Sequence, residues 1–291
     1  MKRRLDFGKY LLALLLFSSN GVVASRIDMS SYEIVLLRSL LGGALLTALF
    51  FLSGNRPRFR ERRRDVLWIS VSGIAMAADW LFLFEAYAQI GVSLGMLINY
   101  TGPAIVIALS PAVLREKISF SKVIALLFAM AGALLISGKA VISGIRVSGL
   151  ICAVLSALSY AVMVLANKKA TTVTGIQNAT LQLVVTALTV TLYAFLRGVR
   201  LTSVSGSWLP ILWLGLVNTG LGCFFYFSSI GKLPAQSVAV CGYIEPLSAV
   251  LLSAIFLKET LSPVQWLGAA LIVGGALFGE IWGKRTKSEL K

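Results

Sequence analysis

Histidine does not occur anywhere in this chain. Its absence removes a common zinc ligand and the one side chain that titrates near neutral pH unaided. Charge is scarce too: Asp, Glu, Lys and Arg make up 13% of the residues, far too little to clothe a soluble domain of this size. The three cysteines, Cys152, Cys223 and Cys241, all fall within apolar runs. Buried packing accounts for them better than a disulfide framework or a metal site. The acidic residues inside apolar runs lack a neighbouring nucleophile with its base, so no enzyme is expected and no cofactor or metal is implied.

What the chain has instead is apolar length. Hydrophobic residues are 57% of it and mean hydropathy is +0.85, as in a polytopic membrane protein. A helix needs about 20 mostly apolar residues to cross the hydrocarbon core. Ten stretches qualify: 9–25, 32–52, 66–88, 93–114, 121–138, 148–167, 176–197, 208–230, 236–257 and 263–282. Barrel strands would be shorter and would alternate apolar with polar residues, which these do not. An all-α membrane protein of ten transmembrane helices is therefore expected. The basic and then apolar N-terminus is read as a retained first helix, since no clean small-x-small cleavage site follows.

The formal charge of +15 is sorted by side rather than gathered for nucleic acid. One alternating set of segment ends holds 20 of the 27 basic residues, including Lys2, Arg3, Arg4, six arginines between Arg56 and Arg64, Arg115, Lys117, Lys168, Lys169 and Lys232. The opposite ends hold Arg26, Lys139, Arg146, Arg197, Arg200 and Lys258, and Arg38 lies within a span. Basic residues stay on the cytoplasmic side, which places both termini inside; a bacterial-type inner membrane is the expected location. The loop "NRPRFRERRRD" is explained by this topology alone; contact with anionic lipid is the alternative reading.

The chain also repeats itself. A shift of 143 residues superposes Tyr100 on Tyr243, Pro103 on Pro246, Ser110 on Ser253, Glu116 on Glu259 and Ser119 on Ser262. Between residues 100 and 134 ten positions are identical, where composition alone gives about three. Two units follow, 1–143 and 144–291, each with five spans. Five is odd, so the second unit enters the membrane from the opposite side, giving a 5+5 inverted repeat. One chain then holds both halves, and a monomer suffices.

On these residues the chain resembles the drug/metabolite transporter superfamily in its EamA-type, ten-helix branch. The resemblance is carried by "RSLLGGALL" in the second span, by E-x-x-S after "PAVLREKIS" and "IFLKETLS", by the closing "QWLGAALIVGGAL", and by Pro followed thirteen residues later by Glu in both halves. It covers nearly the whole chain. It implies secondary active or facilitative transport of a small-molecule substrate by alternating access, without ATP hydrolysis, in keeping with the lack of a P-loop here. Export of amino acids or related compounds is the leading expectation; drugs, sugars or nucleotide sugars are alternatives. A non-transporting scaffold or sensor subunit is a rival of another class.

Ionisable residues at membrane depth default to functional candidates. Glu245 lies about 14 Å into its span, near midplane; Asp79 lies about 20 Å from the cytoplasmic end of its own, and Arg38 about 9 Å from the outside. Glu245 is read as a cavity-lining carboxylate for a proton or a substrate cation, or else as a protonated acid bonded to a neighbouring helix. Arg38 and Asp79 are expected to pair, or Arg38 holds a substrate carboxylate while Asp79 tunes it; snorkelling of Arg38 is a third reading. Arg38 also matches the superfamily's arginine in the second span. Glu85 is placed at the outer interface.

Pro103 and Pro246 deprive the carbonyls of Asn99 and Gly242 of their donors and kink both helices, with Tyr100 and Tyr243 beside them. Asn20, Trp80, Asn99 and Gln182 are softer candidates, for substrate contact or for interhelical bonds. Ser262, Pro263 and Gln265 spell a capping box for the last helix. Gly268, Gly274, Gly275 and Gly279, with Ala125 and Ala129, are read as close helix contacts at the seam between the halves.

Overall fold

Backbone amides in an apolar run have no water to bind, and helix is the arrangement that pairs them within one segment. The computed structural model describes residues 2–24, 26–56, 62–90, 92–137, 146–198, 207–256 and 262–288, and no strand occurs among them. The first five apolar segments become α1 (Lys2–Ser18) with α2 (Asn20–Ala24), α3 (Ser31–Leu52), α4 (Arg63–Ile90), α5 (Val92–Asn99) with α6 (Gly102–Leu114), and α7 (Phe120–Ser137). The next are α8 (Val147–Lys169), α9 (Ile176–Leu196), and α10 (Trp208–Leu212), which runs through a π-helical stretch, Trp213–Leu221, into α11 (Gly222–Ser229). Last come α12 (Ala235–Gly242) with α13 (Ile244–Phe256), and α14 (Pro263–Ser288).

Five of these segments are long and apolar enough to cross a membrane: Tyr32–Leu52, Arg63–Ile90, Val147–Lys169, Ile176–Leu196 and Trp208–Lys232. Gly102–Leu114, Phe120–Leu135 and Pro263–Gly275 are shorter apolar helices. Helix starts carry chemical signals. Ser30 and Glu33 form a capping box on α3, with the Ser30 amide donating to Glu33 Oε2 at 2.9 Å. Ser262 and Gln265 do the same for α14, as their spacing predicts.

Continuous helices were expected at residues 9–25, 93–114 and 236–257, and here the structure differs. The first is interrupted at Ser19, the second at Tyr100 and Thr101, the third at Tyr243. Proline explains the latter two: each ring removes an amide donor and starts a new helix instead of bending the old one.

Helix α7 packs along α14 through small residues. A Cβ on Gly132 would sit 2.5 Å from the Gly268 carbonyl oxygen, and one on Gly275 would sit 2.8 Å from that of Ala125. A shift of 143 residues turns one contact into the other. The pairings also run in opposite senses, residue 132 against 268 and 125 against 275, so the two helices are antiparallel. Helices α3 and α9 meet in the same way: Gly42 faces Leu183 and Gly43 faces Ala187, while the Thr180 hydroxyl donates to the Leu46 carbonyl at 3.2 Å. Gly274 has open space around it and takes no part in the seam.

Several helix contacts recur in both halves. Helix α4 lies along α8 as α11 lies along α1; α4 contacts α9 as the π-helical stretch contacts α3; α6 contacts α8 as α13 contacts α1. Lys168, Lys232 and Arg62 bind groups at the helix ends. There Lys232 pairs with Asp6 at 3.2 Å, Glu116 accepts from the Ala235 amide at 3.1 Å, and Asp65 Oδ2 accepts from the amide and hydroxyl of Thr172 at 2.5 and 2.6 Å. Glu116 is thus a structural tie between the end of α6 and the start of α12. Its repeat partner Glu259, with Lys139, Arg200, Lys258 and the boundary at 143, lies outside the described residues.

Candidate functional site

The two proline-started helices bring equivalent residues face to face. Tyr100 and Tyr243 stand with ring centroids 6.4 Å apart, and the Tyr243 hydroxyl donates to the Tyr100 carbonyl at 2.5 Å. That carbonyl lies in the interruption between α5 and α6, where a side-chain donor replaces the missing helical one. At the other break Gly242 has the hydroxyls of Tyr10 and Tyr160 close to it, and Tyr10 donates to the Val238 carbonyl at 2.7 Å.

Glu245 is the second residue of α13, at the positive end of that half-helix. Its charged neighbours are Arg38 and Asp79. It is also the shared electrostatic neighbour of Tyr10, Tyr87, Tyr100, Tyr160 and Tyr226, drawn from α1, α4, the α5–α6 break, α8 and α11. Sequence reasoning missed four of these tyrosines. The available signal was a hydroxyl in an otherwise apolar span, which needs a partner at depth. Glu245, Tyr87, Asn99, Tyr100, Tyr160 and Trp80 each keep some accessible surface, while Arg38, Asp79 and Tyr243 are buried behind them.

Arg38 and Asp79 do not form the expected ion pair. The Arg38 guanidinium lies over the Trp80 ring, 4.6 Å from its centroid, and its Nε donates to Thr219 Oγ1 at 2.9 Å. Thr219 sits in the π-helical stretch and donates in turn to the Leu214 carbonyl, five residues back, at 2.8 Å. Asp79 is held elsewhere: Ser156 donates to its Oδ1 at 2.5 Å and Asn99 Nδ2 at 3.0 Å, and Asn99 also donates to Ser156 at 2.6 Å. Arg38 stacks on the neighbour of Asp79, yet the two groups bond to different helices, an orientation that counting along a helix leaves open.

The remaining candidates separate. Asn20, just past the break in the first segment, accepts from Asn218 Nδ2 at 3.0 Å. Gln182 joins Asn167 and Asn178 in a buried amide cluster between α8 and α9, the packing alternative of its sequence reading. Glu85 accepts from Gln89 one turn on, at 2.7 Å. Residues 91–95, "GVSLG", have the spacing of a serine-hydrolase elbow, but Val92–Asn99 is helix and the chain has no histidine to complete a triad.

Long apolar helices with ionisable groups drawn to a pair of interrupted ones are the construction of a membrane transporter. Comparison with known proteins agrees. The EamA-like transporter family matches residues 9–138 and again 147–279, and the chain belongs to that family. It is similar to the uncharacterized transporter YxxF of Bacillus subtilis, 26% identical over 275 residues, covering 92% of this chain and 86% of that one. An uncharacterized transporter of Archaeoglobus fulgidus is 24% identical over 268 residues, 92% of this chain and 93% of that one. One solved crystal structure superposes with a TM-score of 0.84 at 19% identity, over 97% of this chain and 99% of the other, and so shares the fold.

Proposed function

We propose that this chain is a secondary transporter that exports amino acids or related small metabolites by alternating access. Its ten spans form two oppositely inserted halves, 1–143 and 144–291, both termini lie in the cytoplasm of a bacterial-type cell, and one chain is sufficient. Equivalent helices crossing antiparallel, as α7 with α14 and α3 with α9, support the inversion, because a twofold axis in the membrane plane reverses helix direction. The observation that carries the reading is the meeting of the two broken helices at Tyr100 and Tyr243 beside Glu245. Broken helices at midplane leave polar backbone and half-helix ends to face a bound solute. Glu245, Tyr100, Tyr243, Arg38, Asp79, Trp80, Asn20 and Asn99 are the residues to vary, and Pro103 and Pro246 set the breaks.

Reconstituted protein moves substrate in a liposome flux assay, whereas a scaffold or sensor subunit moves nothing. Glu245 is the proposed proton carrier. Its glutamine variant keeps the carboxyl's size but cannot release a proton, so flux through Glu245→Gln loses its pH response. A wild-type pH profile in that variant removes Glu245 from this role.

A further inference from the structure

We infer that the end of the bundle bearing the basic loops contains a specific site for a phosphate ester, formed by Arg56, Arg62 and Gln177. An open cleft of about 360 Å³ lies there, lined by Gly54, Asn55, Arg56, Arg62 and Gln177. That volume falls within the range of small-ligand clefts. All three long side chains offer N–H donors, and a phosphate oxygen is an acceptor without hydrogens of its own. Arg62 is pinned, its guanidinium donating to the Thr172 carbonyl, so one edge of the planar donor set is fixed. Asp65, one turn along from Arg62, has its carboxylate occupied by Thr172 and Val173.

The decisive observation is independent of charge. Gln177 Nε2 is buried and has no hydrogen-bond partner. An amide donor left unpaired in this way costs free energy that an incoming acceptor recovers. Gln177 is also the second residue of α9, so the cleft lies at the positive end of a helix of 21 residues. Topological sorting of basic residues needs arginines near this membrane face. It needs neither a cleft nor an unpaired amide inside one.

Two sources supply this chemistry: the headgroup phosphate of an anionic lipid, or a soluble phosphate ester. The full-length protein in phosphatidylcholine nanodiscs is compared by thermal unfolding after adding phosphatidylglycerol to the bilayer, or glycerol 3-phosphate to the buffer. One addition raises the midpoint by a few degrees, and which one does so names the source. The rise falls by at least half in Arg56→Gln and in Gln177→Leu. It persists in Lys117→Gln, which removes the same charge from an exposed residue at the same end. Gln177→Leu in phosphatidylcholine alone is as stable as wild type or more so, which separates lost binding from lost folding. The inference is overturned if neither addition stabilises the wild type, or if all three variants respond alike, since a diffuse basic surface then explains everything.

Discussion

Substituting Gly132 by alanine tests the packing seam at a single atom. The added Cβ would stand 2.5 Å from the Gly268 carbonyl oxygen, and ordinary contact begins near 3.4 Å. The obstruction is backbone, so no rotamer relieves it and α7 must move from α14 by roughly 1 Å, an overpacking that costs about 1–3 kcal/mol. Alanine returns about 1 kcal/mol through its better helix propensity. The net loss is therefore about 0–2 kcal/mol, a fall of up to a few degrees in the unfolding midpoint. Gly275→Ala meets the Ala125 carbonyl at 2.8 Å and loses less. Gly274→Ala meets nothing within 4 Å and keeps only the propensity gain. Thermal unfolding of the purified variants ranks them Gly132→Ala, Gly275→Ala, Gly274→Ala from least to most stable. If Gly132→Ala is as stable as Gly274→Ala, the helices are not held at this distance and the reasoning fails.

Other substitutions probe the site and its supports. Tyr243→Phe leaves the Tyr100 carbonyl without its donor; stability drops by about 1–3 kcal/mol in chemical denaturation, and flux slows with it. Arg38→Lys loses both the planar stack on Trp80 and the Nε bond to Thr219, so transport falls although the charge is kept. Unchanged flux in that variant reduces Arg38 to a point charge. Asp65→Ala strands the Thr172 amide and hydroxyl and the Val173 amide, costing about 2–3 kcal/mol in thermal unfolding with little change in flux once the protein is folded.

Spacing alone located the central features of this fold. Apolar length set most segment limits within a few residues, because a helix in oil cannot stop until its amides are answered. Pro103 and Pro246 marked two of the interruptions, and their thirteen-residue distance to Glu116 and Glu259 recurs in the two stretches that match the family. Gly132 and Gly275 stood at matching positions because they answer the same steric demand from opposite sides. Azimuth was hidden. Depth placed Arg38 and Asp79 at similar levels, yet Arg38 turns to Thr219 and Asp79 to Ser156 and Asn99. Thr219 was invisible as a partner because a π-helical stretch changes which residues share a face, and nothing in "WLGLVNTGL" announces it. Ser30 and Glu33 carry a capping signal at the spacing of a capping box.

A hydrogen bond joining two like residues can point only one way. The Tyr243 hydroxyl donates and the Tyr100 carbonyl accepts, so the contact is one-sided although the two tyrosines stand at matching sequence positions. Because tyrosine stands at both places, the reverse bond, from the Tyr100 phenol to the Tyr243 peptide oxygen, needs no new chemistry.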